Sequence, residues 1–245
     1  MKRFEVDLHV HTALSPCAAN EMTPCAIVTQ ALRQGLDMIA VCDHNACGNA
    51  MATQEAAAGR LTVLAGVEIT TSEEVHMLGI FPDSGSAGKA CSAVRASLPD
   101  AEAEDARTFG EQLLMDAHGN VTGVDPKLLS SASRLTLAEA VSVIRSNRGI
   151  VVLSHVDRPA FSVFGQLGMI PEGTDADALE LSAAGVEAGV APRFKAFGLP
   201  LLTGSDSHFL SQLGAGRTSV EMHGASFDEM VAALKGVSGR RILDA

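Results

Sequence analysis

Seven strand-length apolar runs recur along the chain, and they limit its fold more than any other feature. Runs of this length that are bounded by turn residues are typical of buried strands. Helix-like segments lie between several of them, at 23–34, 136–146 and 227–234. This alternation predicts a parallel sheet covered by helices, and about seven strands can close such a sheet into an α/β barrel. The runs are Phe4–Val10, Leu36–Cys42, Leu61–Ile69, Val75–Phe81, Gly149–Ser154, Ala178–Leu181 and Pro200–Thr203.

The length of 245 residues suits one barrel domain, so we predict a single domain over 1–245. The segment 82–134 interrupts the alternation with glycine, serine and acidic residues. We predict that it forms an insertion or a lid within the barrel.

Two histidines in the sequence DLHVHT, His9 and His11, are the first sign of chemistry. Residues two apart on a strand point to the same face, so both imidazoles can bind one metal ion. The Ser15-Pro16 turn follows soon after, which indicates that the strand ends near the pair. In barrel enzymes such strand ends carry the active site.

Further metal-binding side chains follow the other apolar runs. A histidine after a strand is usually a hydrogen-bonded core or loop residue, and His118 and His223 fit that interpretation. Six of the eight histidines, with an aspartate and a glutamate, nevertheless share one kind of position, which predicts a common site. A glutamate after a buried run is costly unless it is paired or coordinating, so Glu68 is a candidate bridge between two metals. The additional ligands are His44, Glu68, His76, His155, Asp206 and His208.

Histidine and carboxylate ligands suit Zn²⁺, Mn²⁺ or Fe²⁺. Eight or nine ligands are too many for one ion, so we expect two or three divalent metal ions. Clustered metals suit phosphoryl transfer, because they hold phosphate oxygens and activate water.

Together these residues resemble the PHP family, named for its polymerase and histidinol-phosphatase members, from Asp7 to His208. The resemblance implies a distorted (β/α)7 TIM-like barrel with a trinuclear metal site. Many members carry an Asp or His ligand in the loop after the first histidine pair, where this chain has Cys17. Cys17 is therefore a candidate thiolate ligand, although a buried structural cysteine or a ligand position left to water is an alternative.

Three residues are candidates for catalysis. A water near Glu68 is the expected nucleophile, Asp206 or a histidine could protonate the leaving group, and Arg158 could bind a phosphate through paired hydrogen bonds. An ion pair of Arg158 with Asp157 is the alternative. Arg134 and Arg217 are weaker phosphate candidates. Asp7 is expected to orient a metal-bound imidazole, and Asp43 could do the same or hold a water.

We therefore expect a metal-dependent phosphatase or phosphodiesterase that acts on a small or nucleotide-like substrate. A nuclease for short oligonucleotides and a non-catalytic metal-binding regulatory or accessory protein are the alternatives. The net charge of −11 opposes adhesion to a nucleic-acid backbone, so we expect no long duplex nucleic acid as a partner. The sequence contains no run of about 20 apolar residues, so we expect no membrane partner. Five cysteines without a disulfide pattern favour the cytoplasm.

Overall fold

The computed structural model describes residues 1–243, which form eleven strands and nine α-helices. The strands are β1 (Lys2–Val10), β2 (Met38–Val41), β3 (Thr62–Thr70), β4 (His76–Phe81), β5 (Leu113–Met115), β6 (Val121–Val124), β7 (Ile150–Leu153), β8 (Ala178–Ser182), β9 (Leu201–Gly204), β10 (Thr218–Met222) and β11 (Arg241–Ile242). The helices are α1 (Pro24–Arg33), α2 (Ala50–Ala57), α3 (Ser84–Arg95), α4 (Asp105–Phe109), α5 (Leu137–Ser146), α6 (Val163–Leu167), α7 (Ala183–Glu187), α8 (Ala191–Lys195) and α9 (Phe227–Leu234).

Nine strands form one sheet in the order β11-β10-β1-β2-β3-β4-β7-β8-β9. The N–H of His11 donates to the carbonyl of Ser207 at 3.1 Å, and Val10 forms a parallel bridge with Ser207. The chain just after β9 therefore lies beside the end of β1, and the sheet is nearly closed. This confirms the predicted α/β barrel, and all seven apolar runs form its strands.

The expectation of an entirely parallel sheet is wrong for β4, which runs antiparallel to both β3 and β7. The connection between β3 and β4 covers only residues 71–75. A parallel crossover needs a dozen or more residues, whereas a connection this short can only reverse the chain. The strands β10 and β11 were not predicted, and both also pair antiparallel.

The three predicted helices begin at hydroxyl side chains that cap them. Thr23 accepts from the N–H of Ala26, and Pro24 occupies the first turn of α1. Thr136 and Glu139 form a capping box at α5, and Ser226 caps α9. Each cap satisfies a backbone N–H that the helix leaves unpaired, which fixes where the helix begins.

Two apolar clusters cover the two faces of the sheet. One joins side chains from the strands around the barrel, including Met38, Leu64 and Val152, and so fills its interior. The other packs the outer face against α1, α2, α3 and α5. In β1 the pairing with β2 is irregular between Asp7 and Val10, directly at the histidine pair. Glu68 lies on the same face of β3 as Leu64, above the filled interior.

The segment 82–134 contains both barrel and added structure. Helix α3 packs against β3 and β4 as a barrel helix does. The β5–β6 hairpin lies over the loops after β1 and β2: Leu113 N–H donates to Ala13 O at 2.8 Å, and the Asn49 side chain binds the backbone of Leu113 and Met115. An insertion or a lid over 82–134 stays a prediction. Within residues 1–243, no helix has both the length and the apolar character that crossing a membrane requires.

Candidate metal centre

The carboxylate of Glu68, at the end of β3, is surrounded by five imidazole rings. The ring nitrogens lie 3.1 to 3.4 Å from its two oxygens. The five rings lie on β1 or one residue after it, in the loop after β2, on β4 and two residues after β7. The sheet therefore gathers side chains that are far apart in sequence, as the strand-end pattern predicted. The five histidines are His9, His11, His44, His76 and His155.

Asp206, two residues after β9, adds a second carboxylate to this group. Its Oδ1 lies 3.0 Å from His11 Nε2 and 3.3 Å from His9 Nε2. The ring of His208 stacks on that of His11, with centroids 4.2 Å apart. His208 Nδ1 lies 2.9 Å from Asp206 O, so its Nε2 is left for another partner. The structure thus brings together the eight predicted histidine and carboxylate ligands.

The chemistry of these atoms fits metal ions. Both oxygens of Glu68 and the Oδ1 of Asp206 are buried and have no hydrogen-bond partner among residues 1–243. The imidazole contacts are near enough for ion pairing but lack the direction of hydrogen bonds. A buried ionised carboxylate without donors is very costly unless a cation neutralises it. Three groups of ligand atoms each lie within 4.8 Å of one another: His11, His44 and His208; His9, His11, Glu68 and Asp206; His44, Glu68 and His76.

The Nε2 atoms of His9 and His11 are 3.1 Å apart. Each ring already uses its Nδ1 atom, for Glu180 in one case and Ser15 in the other. With only Nδ1 protonated on each ring, the two Nε2 atoms present lone pairs to each other, and the approach becomes favourable with a metal ion between them or with a proton on one Nε2. Nitrogen ligands about 2.1 Å from one ion have a comparable spacing.

Glu180, in β8, orients the ring of His9. Both of its oxygens lie 3.0 Å from His9 Nδ1, and one of them also accepts from the N–H of His155 at 3.3 Å. A carboxylate that binds the far nitrogen of a ligand histidine fixes its tautomer and raises its basicity. A Cβ at Gly204 would lie 2.7 Å from Glu180 Oε2, so this arrangement requires glycine there. The sequence analysis missed Glu180.

Asp43 supports the neighbouring histidine through a serine. His11 Nδ1 lies 2.9 Å from Ser15 Oγ, which donates to Asp43 Oδ1 at 2.7 Å. Asp43 also accepts from the N–H and the hydroxyl of Thr12. Its carboxylate is therefore fully hydrogen-bonded by the protein.

Asp7 does not contact an imidazole, so the expectation that it orients one is wrong. Its oxygens accept from the backbone N–H groups of Ser205 and Gly214, both at 3.0 Å. Asp7 thus ties β1 to the chain after β9. Complete burial raises the pKa of this carboxyl to about 6, although the hydrogen bonds from Ser205 and Gly214 oppose the rise.

The charges of the central side chains shift one another's pKa values. Burial opposes the ionisation of Glu68, but His76 and His9 hold the pKa of its carboxyl well below the usual range. His9 and His11 do the same to the pKa of Asp206. Burial would lower the pKa of His9, yet the carboxylates of Glu180 and Glu68 raise it well above normal. The centre therefore holds its carboxylates ionised.

Cys17 lies at the edge of the centre. The residue is exposed, and the rings of His208 and His44 act on the ionisation of its thiol. Partial burial works against ionisation, but these two rings lower the pKa of the thiol to about 6. Cys17 belongs to none of the three compact ligand groups. Its role as a ligand stays a prediction.

Arg158 donates to Asp206 Oδ2 at 2.5 Å. The alternative pairing with Asp157 is wrong, because the Asp157 carboxylate accepts from the N–H and hydroxyl of Ser182 instead. Arg158 lines a cavity of about 280 Å³ above the centre.

The two weaker phosphate candidates lie away from this cavity. Arg217 donates to the carbonyls of Gly214 and Gln34. The structure gives no contact of Arg134 with this cavity.

Backbone strain is concentrated at the same place. Four non-glycine residues around the centre have left-handed φ angles: Asn45 (51°), His155 (28°), Phe161 (56°) and Asp206 (49°). Such conformations cost about 1–3 kcal/mol each and persist only where the surroundings hold them. His118 and His223, which the sequence analysis left outside the site, are exposed and lie in other parts of the fold.

Comparison with solved structures supports the fold. A lesion-specific endonuclease, endonuclease Q from Pyrococcus furiosus, superposes with a TM-score of 0.75 at 20% identity over 98% of this chain. The present chain spans only 58% of that protein. A candidate metal-dependent phosphoesterase from Bifidobacterium adolescentis superposes with a TM-score of 0.56 at 21% identity, over 83% of this chain and 87% of its own. No curated protein matches the chain by sequence.

The expectation of no long duplex nucleic acid as a partner is wrong. A structure of endonuclease Q, similar to this chain with a TM-score of 0.74 at 19% identity over 98% of this chain and 58% of that protein, holds a 27-mer duplex with an abasic lesion at its active site. The net charge of the chain did not predict its partners, because it averages over the whole surface and omits the charge of bound metal ions.

Sequence comparison with protein families gives two matches. Residues 7–170 match the PHP domain, and residues 193–237 match the PHP-associated family. The first match covers well over half of the chain and contains all the proposed ligands except Asp206 and His208. The chain therefore belongs to the PHP family of metal-dependent hydrolases.

Proposed function

We propose that this protein hydrolyses phosphate esters, with two or three divalent metal ions held between Glu68, Asp206 and the surrounding histidines. One observation carries the proposal: Glu68 is shared by two of the compact ligand groups and has no hydrogen-bond donor of its own. When bound there, such ions hold phosphate oxygens, lower the pKa of water and stabilise a leaving oxygen. The histidine and carboxylate set suits Zn²⁺, Mn²⁺ or Fe²⁺.

Side chains of the protein bind the phosphate and transfer protons. Arg158 lies on the wall of the cavity with a side chain that is 40% exposed, where it can bind a phosphate oxygen while still paired with Asp206. Glu68 and Asp206, both ionised, hold the centre together and can accept a proton from an attacking water. The depressed pKa of Asp206 favours a histidine as the donor to the leaving group.

The substrate is a small or nucleotide-like phosphate ester, because the cavity of about 280 Å³ is open to solvent and bordered by Arg158. A second candidate is cleavage of phosphodiester bonds in nucleic acid, which the fold shared with endonuclease Q favours. A metal-binding regulatory or accessory role is the non-catalytic alternative. A cytoplasmic location stays a prediction.

Elemental metal analysis, paired with hydrolysis of an aryl phosphate and a bis-aryl phosphate in added Mn²⁺ or Zn²⁺, tests the proposal. Two or three ions per chain with turnover of either ester is the expected result. His9→Ala should lose metal and turnover, whereas the matched control His223→Ala, at an exposed histidine, should lose neither. Bound ions without turnover would support the accessory role, and failure to bind ions after reconstitution would refute the metal centre.

A further inference from the structure

Phe161 is an exposed aromatic residue at the mouth of the metal centre. It lines the same cavity as Arg158, and 44% of its surface is exposed. Its ring stacks on the imidazole of His76, with centroids 4.7 Å apart and planes at 25°. One face of the ring is thus occupied, so the exposed part belongs to the opposite face and the edge.

The conformation of Phe161 is unfavourable for its residue type. Its φ of 56° is in the left-handed region, where glycine or asparagine fits with far less strain than a bulky side chain. An exposed phenylalanine gains little from burial to offset that strain. A residue that serves only the turn would therefore not need an aromatic ring.

The loop of residues 158–162 holds Phe161 in a fixed position. The N–H of His76 donates to the carbonyl of Phe161 at 2.9 Å, which ties the loop to β4. Ser162 donates through its hydroxyl to Arg158 O at 2.6 Å and also caps α6. A Cβ at Gly165 would lie 2.3 Å from Pro159 O, so the loop packs tightly on the helix start. Rigid support of this kind suits a binding group, because little freedom is lost when a ligand arrives.

Resting on the proposed function, we infer that Phe161 is a specificity-determining residue that stacks on a planar aromatic group of the substrate, such as a nucleobase, while Arg158 binds the phosphate. Phe161 and Arg158 are three residues apart on one loop and line one cavity. The free ring face offers no hydrogen bonds, so it selects for flat apolar surface and tolerates any base.

Binding of two phosphonates to the metal-loaded protein tests this inference by calorimetry. One is the phosphonate analogue of adenosine 5′-monophosphate and the other that of ribose 5-phosphate; a methylene group in each prevents cleavage. They differ only in the base. We expect the adenosine compound to bind about 5- to 150-fold more tightly, the range that loss of a base-stacking aromatic spans.

Phe161→Ala should bring this affinity ratio close to one, and Phe161→Trp should preserve it. Phe161→Gly repeats the test with a residue that adopts the left-handed φ freely, so the loop and its bond to His76 can persist. The matched control is Phe209→Ala, because Phe209 is 47% exposed and follows His208 but does not line the cavity. A purely structural role for the ring on His76 would weaken both ligands alike and leave the ratio unchanged.

Equal affinity of the wild-type protein for the two phosphonates, including no measurable binding of either, would overturn the inference. A preserved ratio in Phe161→Gly would overturn it as well. The proposed function fails separately: a base preference that depends on Phe161, without hydrolysis of any phosphate ester, would leave the inference standing and refute the hydrolase activity.

Discussion

Two sets of buried carboxylates at one end of the barrel differ in how they are stabilised. The supporting carboxylates, Asp7, Asp43 and Glu180, are bound by backbone N–H groups, hydroxyl groups or an imidazole of the protein. The central carboxylates, Glu68 and Asp206, contain three buried oxygens without any hydrogen-bond donor within residues 1–243. Donors of the protein stabilise the charge of the first set directly, whereas the charge of the second set depends on cations, either protonated imidazoles or metal ions.

This difference separates two kinds of energetic role. Removing a supporting carboxylate leaves donors unpaired and should destabilise the protein with or without metal. Removing a central carboxylate should cost more with metal than without it, because the imidazoles of the metal-free protein can lose their protons once the carboxylate is gone. The first three variants below test that distinction.

The largest effect is expected for Glu68→Gln. Two ligand groups share this carboxylate, so we expect the variant to lose bound metal and at least about 100-fold in phosphoesterase activity, beyond the range for groups that only support ligands. In a chelator its unfolding temperature should fall less than it does with metal bound, because the imidazoles around the lost charge can give up their protons. Metal analysis and thermal unfolding with and without chelator measure both. Full metal content in the variant would contradict the role of Glu68.

Glu180→Ala should weaken metal binding by about 10- to 100-fold, since His9 loses the partner that fixes its orientation. Competition with a chelating dye gives this affinity. Glu187→Ala, at an exposed glutamate on α7, is the matched control and should bind metal as the wild type does. Unchanged affinity in Glu180→Ala would mean that the ring of His9 is held by packing alone.

Asp43→Asn should lower the free energy of unfolding by about 1–3 kcal/mol, because the amide cannot accept all three bonds from Thr12 and Ser15. Denaturant unfolding in a chelator isolates this cost from metal binding. A loss of stability that appears only in the metal-loaded protein would remove the distinction between the two sets.

A smaller, metal-independent effect is expected far from the centre, at Glu229. Hydrogen bonds from Arg240 and from the N–H of His223 lower the pKa of this half-buried carboxyl to about 2. A depressed pKa stabilises the fold above the ordinary value near 4.5, and this contribution is lost as the pH falls from about 4.5 towards 2. Glu229→Gln should therefore show a shallower loss of unfolding temperature between pH 5 and pH 3, on the order of a surface ion pair. If the variant and the wild type lose unfolding temperature equally between pH 5 and pH 3, Glu229 makes no such contribution.

The ligands at strand ends could be predicted because each follows an apolar run, and all such ends meet at one side of a barrel. The supporting groups were harder to predict. Asp7 and Glu180 both lie on strands, and only the tertiary structure decides which one reaches His9 Nδ1. The glutamate inside the apolar sequence ALELS was nevertheless a signal, since a charge in a buried strand needs a partner.

The direction of β4 could also have been predicted. Five residues between two strands allow only a reversal, and that count was available in the sequence. The short strand β10 (TSVEM) shows the alternating burial of a half-buried strand, but five residues give a weak pattern. The exposure of Phe161 depends on a left-handed turn, and the spacing of apolar residues in the sequence does not predict such a turn.

The contact between β1 and the chain after β9 has a consequence for how the protein is made. His9 leaves the ribosome 197 residues before Asp206. At about 5–20 residues per second, roughly 10 to 40 seconds pass between them. During that time the nascent chain offers histidines that can bind metal loosely, yet no complete centre. Selection of the correct ions therefore has to wait until β9 and the residues after it lie beside β1.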